Sequence, residues 1–270
     1  MAINKIPSFE EYKQWMNHTF KIRNLGAYKL HFERESKLIE ESFSNLEFWK
    51  TLVGNLPNYY DEYFLVEKQY LFSNRSYKPE LLIKSFPSLI EKTYRKNVIN
   101  NKNWPNPPNV GWVTPENWFS RINDIIRTKI VVNYLEGMNY LTNEIQQVCN
   151  KYEVKFAPKF PPSYEARMEG YYAINSYFEN LEFNITDQKT GNDKPINISV
   201  ELQITTQMQD LMRGLLHTEY EKARIKRGSD LDWAWNYKDD KFSTVYLAHI
   251  LHYAEGMIMQ IIDKNRNSEE

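Results

Sequence analysis

The sequence predicts an α+β fold, in which a mixed β-sheet is flanked by helices and helical extensions precede and follow this sheet. Alternation with period two marks the strands, most clearly in VELQITT from Val200 to Thr206, where apolar and polar residues take opposite faces. That strand runs directly into helical spacing from Gln207. A second apolar strand, DIIRTKIVVNYL, is likewise followed by a helical pattern, from Glu136 to Tyr152.

The chain is expected to begin and end with helices outside the sheet. Residues 8–50 combine Glu, Lys, Leu and aromatic residues at helical spacing, which predicts two helices. A last amphipathic helix is predicted from Ser243 to Lys264. We therefore divide the chain into a helical N-terminal extension (1–66), a central domain (67–228) and a helical C-terminal extension (229–270).

The most basic stretch lies between residues 68 and 102, where eight basic residues occur with two acidic ones and the pattern becomes helical at Pro87. Lys84 and Lys92 are eight residues apart, about two helical turns, so both are expected on one helix face with Arg95 just beyond. A row of cations of this kind suits the phosphates of a nucleotide. The alternative is an ordinary solvated helix face.

Asparagine and proline crowd NVINNKNWPNPP, residues 97–108, a composition that favours turns. This segment is predicted to be a mobile loop that separates the basic helix from the sheet. In the strand that follows, Arg127 and Lys129 share one face, and Ile126 and Val132 share the other.

The second half of the sheet is predicted to contain a short strand and a hairpin. Residues around 154–156 form the short strand, which leads into a proline-rich loop, APKFPPSYEARMEG, that ends at Gly170. Residues 171–181 are aromatic and β-branched enough for a strand. The turn-forming DQKTGNDKP joins that strand to the one that carries Glu201, as in a hairpin.

Two carboxylates and one tyrosine are the candidate functional groups. Asp124 at the start of one strand and Glu201 on the polar face of another are candidate ligands for Mg²⁺, which usually takes one or two carboxylates together with substrate phosphates. Tyr171, beside Gly170, offers a ring on which a base can stack. Singly, such residues are more often solvated strand ends or turns, so only their combination points to phosphoryl-type transfer to a nucleotide.

Composition excludes several other classes of protein. The single cysteine, Cys149, rules out an internal disulfide and fits a reducing compartment. The first residues lack the apolar run of a signal peptide, and no stretch has the length of a membrane span, so we expect a cytoplasmic protein with no membrane partner. His249 and His252 are three residues apart, but without cysteine or carboxylate partners we expect ordinary surface or core histidines.

In order along the chain, four motifs resemble those of the synthetase domain of the RelA/SpoT family of nucleotide pyrophosphokinases. KSFPSLIEKTYRK is similar to the ATP-binding helix, DIIRTKIVV to the metal-binding strand, EGYYAIN to the acceptor loop, and VELQITTQMQDLMRGLLH to the catalytic strand and its following helix. The resemblance runs from about Lys84 to Lys222, half of the chain, and implies the nucleotidyltransferase-like fold of that domain.

This resemblance implies an enzyme that transfers the β,γ-pyrophosphate of ATP to a ribose 3′-hydroxyl and releases AMP. By position, Asp124 and Glu201 would hold Mg²⁺, and Glu201 could also take the proton of the attacking hydroxyl. The implied ATP-binding residues are Lys84, Lys92, Arg95, Arg121, Arg127 and Lys129. The implied acceptor-binding residues are Tyr171, Gly170, Asn175, Gln203 and His217.

The chain departs from the family pattern at five positions, and two of them remove a positive group near the acceptor. Asn175 replaces a histidine and Thr205 replaces an arginine; the other departures are Leu82, Lys129 and Leu216. An acceptor that is anchored elsewhere, such as the 3′ end of tRNA, would tolerate that loss. The pattern resembles the toxic branch of small alarmone synthetases, which implies a tRNA substrate and an antitoxin partner. Candidate tRNA contacts are Lys151, Lys155, Lys159, Arg167, Arg224, Lys226 and Arg227.

Two other functions stay open on the sequence alone. The chain could make (p)ppGpp or its adenosine analogues from free nucleotides, or it could be a degenerate binding module without catalysis. The departures favour the binding module, whereas retention of Asp124 and Glu201 favours an enzyme. The sequence does not decide the acceptor, the regulator or the oligomeric state.

Overall fold

The computed structural model describes residues 6–159, 172–214 and 232–266. By its internal contacts the chain divides into two compact units. The first unit comprises Met1–Leu46, Leu81–Arg127 and Phe178–Glu201. The second unit comprises Glu47–Glu80, Thr128–Tyr177 and Leu202–Glu270.

Helices and strands are partly segregated along the chain, as is typical of an α+β protein: three helices come first, and β3, β4 and β5 are consecutive among the described elements. The helices are α1 (Phe9–Thr19), α2 (Leu25–Ser44), α3 (Glu47–Glu67), α4 (Phe86–Tyr94), α5 (Trp118–Arg121), α6 (Leu135–Lys151), α7 (207–214 in its described part) and α8 (Asp240–Arg266). A π-helical turn, Arg95–Ile99, continues α4, and a 3-10 turn, Asp232–Trp235, precedes α8. The strands are β1 (Leu81–Ile83), β2 (Ile126–Val132), β3 (Lys155–Lys159), β4 (Ile174–Thr186) and β5 (Asp193–Thr206).

The described strands form one five-stranded sheet in the order β1-β2-β5-β4-β3. The α+β class with a mixed sheet is therefore confirmed. The predicted hairpin is also present, since β4 and β5 are neighbours and the amide of Asp187 donates to the carbonyl of Asn192 across the turn. Both hairpin strands are longer than the sequence pattern predicted.

Alternation along β2 agrees with its predicted faces. Ile126, Thr128, Ile130 and Val132 are buried, and the residues between them, beginning with Arg127, are partly exposed. The helix predicted after this strand is α6, and the final predicted helix is α8. The two helices predicted in residues 8–50 are α1 and α2, and a third helix, α3, begins at residue 47.

Aromatic packing in the first unit fixes the start of α4. Phe32 of α2 lies with its ring centroid 5.9 Å from that of Phe86, 5.8 Å from Trp118 and 5.5 Å from Phe119, and all four side chains are buried. Ser85 caps the helix by accepting a hydrogen bond from the amide of Ser88, and proline occupies the first turn. The basic helix thus begins where Pro87 predicted it.

The asparagine-rich segment that begins at Asn97 was predicted to be a mobile loop, but its first residues are packed in the first unit. The Nδ2 atom of Asn97 donates to the carbonyl of Val113 at 2.8 Å and to the hydroxyl of Tyr12 at 3.0 Å, and its Oδ1 accepts from the amide of Val113 at 2.9 Å. Asn101 then donates to the carbonyl of Asn97. The expectation of a loop from residue 97 was wrong because a buried asparagine amide here pairs with both backbone groups of a neighbouring residue.

In the second unit, α3 and α6 pack through tyrosines. The ring of Tyr140 lies 5.0 Å from that of Tyr63 and 6.5 Å from that of Tyr59, centroid to centroid. Cys149, near the end of α6, is fully buried, and burial raises the pKa of its thiol to about 12. Its thiol is therefore a small apolar packing group at neutral pH.

One glycine of α6 allows a close approach of neighbouring chain segments. A Cβ atom placed on Gly137 would lie 2.9 Å from Cδ1 of Leu71 and 3.3 Å from Cβ of Val132. These distances are shorter than ordinary carbon contacts, so the helix can sit this close to β2 only without a side chain at this position. Within the described residues, no helix has the length and apolar composition that a membrane crossing requires.

Candidate active site

The centre of the candidate site is a buried aspartate held by two lysines. Nζ of Lys84 lies 3.0 Å from Oδ2 of Asp124, and Nζ of Lys92 lies 2.8 Å from Oδ1 of the same carboxylate. The side chain of Asp124 is only 12% exposed and that of Lys84 only 8%. Three residues from three segments of the sequence therefore meet in the first unit, as their predicted shared role requires.

Each lysine reaches Asp124 from a different element. Lys84 directly follows β1, and its amide donates to the carbonyl of Ile125 at 2.8 Å, which sets it beside the residue that follows Asp124. Lys92 projects from α4. The expectation that both lysines share one helix face was wrong, because α4 begins only at Phe86 and Lys84 lies outside it.

The two lysines keep Asp124 ionised. Burial alone would raise the pKa of its carboxyl group, but the nearby Lys92 and Lys84 outweigh burial and lower that pKa from 3.8 to about 2. Burial lowers the pKa of Lys84 below its usual value, although the attraction of Asp124 opposes this effect. At neutral pH Asp124 is therefore a carboxylate.

Arg127 adds a further positive group on the same side of the site. Together with Lys92, it contributes to the lowered pKa of Lys84. Its Nε atom is buried and has no hydrogen-bond partner among the described residues. A buried guanidinium N–H without an acceptor is costly, so this atom is suited to an anionic ligand. Lys84, Lys92 and Arg127 outnumber the carboxylate of Asp124, which makes the site attractive to phosphates.

Glu201 is carried by the strand next to β2. It lies in β5, which neighbours β2 in the sheet, and it is 9% exposed. Gln203 and Thr205, on the same strand face, are also buried. The face that the sequence predicted to be available for chemistry is therefore polar but largely removed from bulk solvent.

Asp124 and Glu201 are carboxylates of the kind that a magnesium ion takes as ligands, and this role stays a prediction. Asp124 is ionised, and its Oδ1 atom lies 2.8 Å from Nζ of Lys92. An oxygen in that state can serve as a metal ligand, and Glu201 is a second carboxylate on a neighbouring strand. Since the described residues contain no group of three or more His, Cys, Asp or Glu side chains able to hold a metal, the other ligands would have to be water or phosphate oxygens.

The remaining predicted ATP contacts already have protein partners. Arg95 forms an ion pair with Glu91 at 3.7 Å, and Arg121 donates to the carbonyl oxygens of Val110 and Gly111. In the second unit, Lys129 pairs with the carboxylate of Asp210. Binding of a nucleotide by these three residues stays a prediction.

The acceptor side contains one residue that was not predicted. Arg213 of α7 donates from Nη1 to Oε1 of Gln203, so it places a guanidinium group next to a predicted acceptor residue. Its position ten residues after Gln203, across a strand-to-helix junction, has no signal in the periodicity. Asn175 lies partly buried in β4. Gly170, Tyr171 and His217 lie outside the described residues.

Few of the predicted tRNA contacts can be placed. Lys151 and Lys155 are exposed, and Nζ of Lys151 lies 5.6 Å from the ring centroid of Tyr152. The side chain of Lys159 and the residues Arg167, Arg224, Lys226 and Arg227 lie outside the described part of the chain. A tRNA surface therefore stays a prediction.

Comparison with known proteins gives structural neighbours only. No protein-family profile and no curated protein matches this chain. Similar solved structures include small alarmone synthetase 2 from Bacillus subtilis (15% identity, 86% of this chain and 98% of that one, TM-score 0.49). Others are small alarmone synthetase 1 from Bacillus subtilis bound to its product pppGpp (13%, 84% and 97%, TM-score 0.46) and a GTP pyrophosphokinase family protein from Streptococcus pneumoniae (14%, 84% and 95%, TM-score 0.48). At such identities the function has to be argued from the residues of this chain.

Proposed function

We propose that the protein is an ATP pyrophosphokinase, which transfers the β,γ-pyrophosphate of ATP to a ribose 3′-hydroxyl. The observation that carries this proposal is the carboxylate of Asp124 between Lys84 and Lys92, with Arg127 beside them. Lysine and arginine bind phosphate oxygens, and an aspartate among them binds the divalent ion that accompanies ATP. A purely structural ion pair would need only one of the two lysines.

The site residues have separate roles towards ATP. When the triphosphate binds, Lys84 and Lys92 exchange part of their contact with Asp124 for phosphate oxygens, and Arg127 gains an acceptor for its Nε, which has none among the described residues. Asp124 and Glu201 would then hold Mg²⁺, which supplies charge neutralisation and orientation of the phosphates. The low exposure of Lys84 and Asp124 lowers the local dielectric constant and strengthens their charge interactions.

Glu201 is proposed as the general base. It would take the proton of the 3′-hydroxyl as that oxygen attacks the β-phosphorus of ATP. A bond forms between the 3′-oxygen and the β-phosphorus, the bond from the α,β-bridging oxygen to the β-phosphorus breaks, and AMP leaves with that oxygen. The cations of the site balance the charge that develops on the leaving AMP.

The favoured acceptor is the 3′ end of tRNA. Asn175 and Thr205 lack the positive charge that would grip the phosphates of a free nucleotide, whereas a tRNA brings many phosphates that can bind elsewhere. Lys151 and Lys155 are exposed and are proposed to contribute to such contacts. Because a 3′-pyrophosphate blocks the terminal ribose, the product could not be charged with an amino acid, and we propose that the protein inhibits growth and is restrained by an antitoxin.

One observation favours the second candidate, synthesis of an alarmone from free guanosine or adenosine nucleotides. Arg213, bound to Gln203, supplies a guanidinium group that could replace part of the charge lost at Thr205. The third candidate, a binding module without catalysis, has less support, because it does not require the arrangement of Asp124 between two lysines.

Transfer of label from ATP separates these functions. ATP labelled on the γ-phosphate is incubated with the protein, Mg²⁺ and, in parallel, tRNA, GDP, GTP or AMP. Our proposal expects label on tRNA that disappears when the terminal adenosine is removed. Label on a mononucleotide alone supports the second candidate, and absence of label from every acceptor supports the third.

A further inference from the structure

The C-terminal helix α8 holds the tyrosine that follows the predicted acceptor tyrosine. The ring of Tyr172 stacks on that of His252, with centroids 3.6 Å apart and planes 14° from parallel. Its hydroxyl is hydrogen-bonded to Nδ1 of His249 at 2.6 Å. One residue of the acceptor motif EGYYAIN is thus fixed in two directions by residues 77 and 80 positions away in the sequence.

The same helix also holds the end of the catalytic strand. Glu255, one turn beyond His252, is 6% exposed and accepts hydrogen bonds from Oγ1 of Thr206 and from Nε2 of Gln209. Thr206 is the last residue of β5, and Gln209 lies in α7. In addition, Oγ1 of Thr205 donates to the carbonyl of Tyr172. The acceptor motif, the strand end and α8 are therefore joined by one polar network.

The contacts that join α8 to this network are polar and directional. α8 could have been held by aliphatic packing, yet its contacts to Tyr172, Thr206 and Gln209 come from two histidines and a buried glutamate. Burial lowers the pKa of His249, and the neighbouring His252 adds to this effect, so His249 is a neutral hydrogen-bonding group at pH 7. Directional polar contacts of this kind fix orientation, since they are lost with small changes of angle.

We propose that His252 and Glu255 are positioning residues for the acceptor: through Tyr172 and Thr206 they fix the backbone next to Asn175 of β4 and Gln203 of β5, two of the predicted acceptor-binding residues. This inference rests on the proposed function and assigns to α8 a role in binding the ribonucleotide that receives the pyrophosphate. Tyr172 lies three residues before Asn175 and Thr206 lies three residues after Gln203, so holding Tyr172 and Thr206 limits the positions open to both. ATP binding by Lys84 and Lys92 does not depend on this network.

The stacking contact is tested by His252→Ala. We expect the KM for the acceptor to rise about three- to tenfold, the range for loss of one aromatic pair, while the Kd for ATP changes less than about twofold. His252→Phe keeps a flat ring and should restore the acceptor KM. The control is Tyr253→Ala, which removes a neighbouring ring of α8 that is 71% exposed.

The strand-end contact is tested by Glu255→Gln, which keeps the size of the side chain and its ability to accept hydrogen bonds. We expect it to lower kcat less than Glu255→Ala does, and neither variant to change the Kd for ATP. Hydrogen exchange of the amides of residues 205–209 gives a readout without substrate, and it should accelerate in Glu255→Ala.

Label transfer by the unchanged protein tests the proposed function, and the acceptor KM of the variants tests the positioning role. If the unchanged protein transfers label but His252→Ala leaves the acceptor KM unaltered, or raises acceptor KM and ATP Kd equally, the positioning role is wrong. If the His252 and Glu255 variants lower only the thermal midpoint, α8 is a structural brace. If the unchanged protein labels no acceptor, the proposed function fails and this inference fails with it.

Discussion

Nζ of Lys84 lies 3.0 Å from Oδ2 of Asp124, and both side chains are buried. Removing one member of a buried ion pair leaves the other charge uncompensated, which typically costs about 3 to 5 kcal/mol of stability. Lys92 on the other oxygen moderates this cost for the loss of Lys84 alone. The site therefore couples the stability of the first unit to the groups proposed to bind ATP.

Acid should weaken the fold through Asp124. Its pKa in the folded protein is about 2 and its ordinary value is 3.8, so its contribution is complete above about pH 4 and is lost as the pH falls through 2. The contribution is about 2 kcal/mol at most. We expect the free energy of unfolding in urea to fall less steeply between about pH 4 and pH 2 in Asp124→Asn than in the unchanged protein. Asp193→Asn, at an exposed position of β5, should keep the original slope.

ATP affinity should depend on Lys84 and on alkaline pH. Lys84→Met removes a charged donor and should raise the Kd for ATP about 10- to 100-fold. Because burial lowers the pKa of Lys84, the protonated form is lost at a lower pH than for an ordinary lysine, so the affinity of the unchanged protein should begin to fall below pH 10.5.

Calorimetric titration with ATP over the alkaline range measures both effects. Lys189→Met is the matched control, since Lys189 pairs with Glu116 at 3.0 Å but its side chain is 67% exposed. An equal loss of affinity in both variants would refute a specific role for Lys84.

Glu201→Gln should separate binding from chemistry. The substitution keeps the size of the side chain but removes the base, and the rate of label transfer should fall at least about 100-fold. ATP should still bind in the absence of Mg²⁺, since Lys84, Lys92 and Arg127 are unchanged. Glu182→Gln, at an exposed position of β4, should transfer label at the original rate. Retained transfer by Glu201→Gln would show that another group takes the proton.

Asn97→Ala should destabilise the first unit. The substitution leaves the amide and carbonyl of Val113 without partners in a buried position, at a cost of about 2 to 4 kcal/mol. Urea unfolding measures this cost, and Asn100→Ala, three residues on and exposed, should change stability by less than about 0.5 kcal/mol. Equal stability of the two variants would mean that the hydrogen bonds of Asn97 are replaced by water.

Two helical glycines should respond to alanine in opposite ways. At Gly54 of α3 a Cβ meets nothing within 4 Å, so Gly54→Ala should stabilise the protein by about 0.5 to 1 kcal/mol through helix propensity. At Gly137 the Cβ would lie 2.9 Å from Leu71, so Gly137→Ala should destabilise it by about 1 to 3 kcal/mol. A shift of the thermal midpoint in the same direction for both would contradict the close approach at α6.

The parts of the fold that the sequence predicted are those with long periodic signals. β2 and α6 have alternating and helical patterns that local sequence determines, and both lie where predicted. β1 has only three residues, too few for a pattern, and so it was missed together with the true position of Lys84. The burial of Asn97 could not be predicted, because it depends on Val113, whose place is fixed by packing and not by nearby sequence.

The site was predictable in its acidic and basic members but not in its hydrogen-bond network. Asp124 and Lys92 belong to sequence motifs that can be recognised from their residue spacing, and in the structure the two side chains form an ion pair. Arg213 reaches Gln203 across a strand-to-helix junction, and α8 reaches Tyr172 over 77 residues. Contacts of that sequence separation depend on tertiary packing, for which a single sequence carries no local signal.

The burial of Cys149 makes the protein suitable for site-specific labelling at introduced cysteines. The chain has no other cysteine, and this thiol is inaccessible and scarcely ionised. Thiol-directed dyes should therefore not react with the native protein. A cysteine introduced at an exposed position, such as Glu182 or Tyr253, would then take up a dye or spin label selectively, with no need to remove the natural one first.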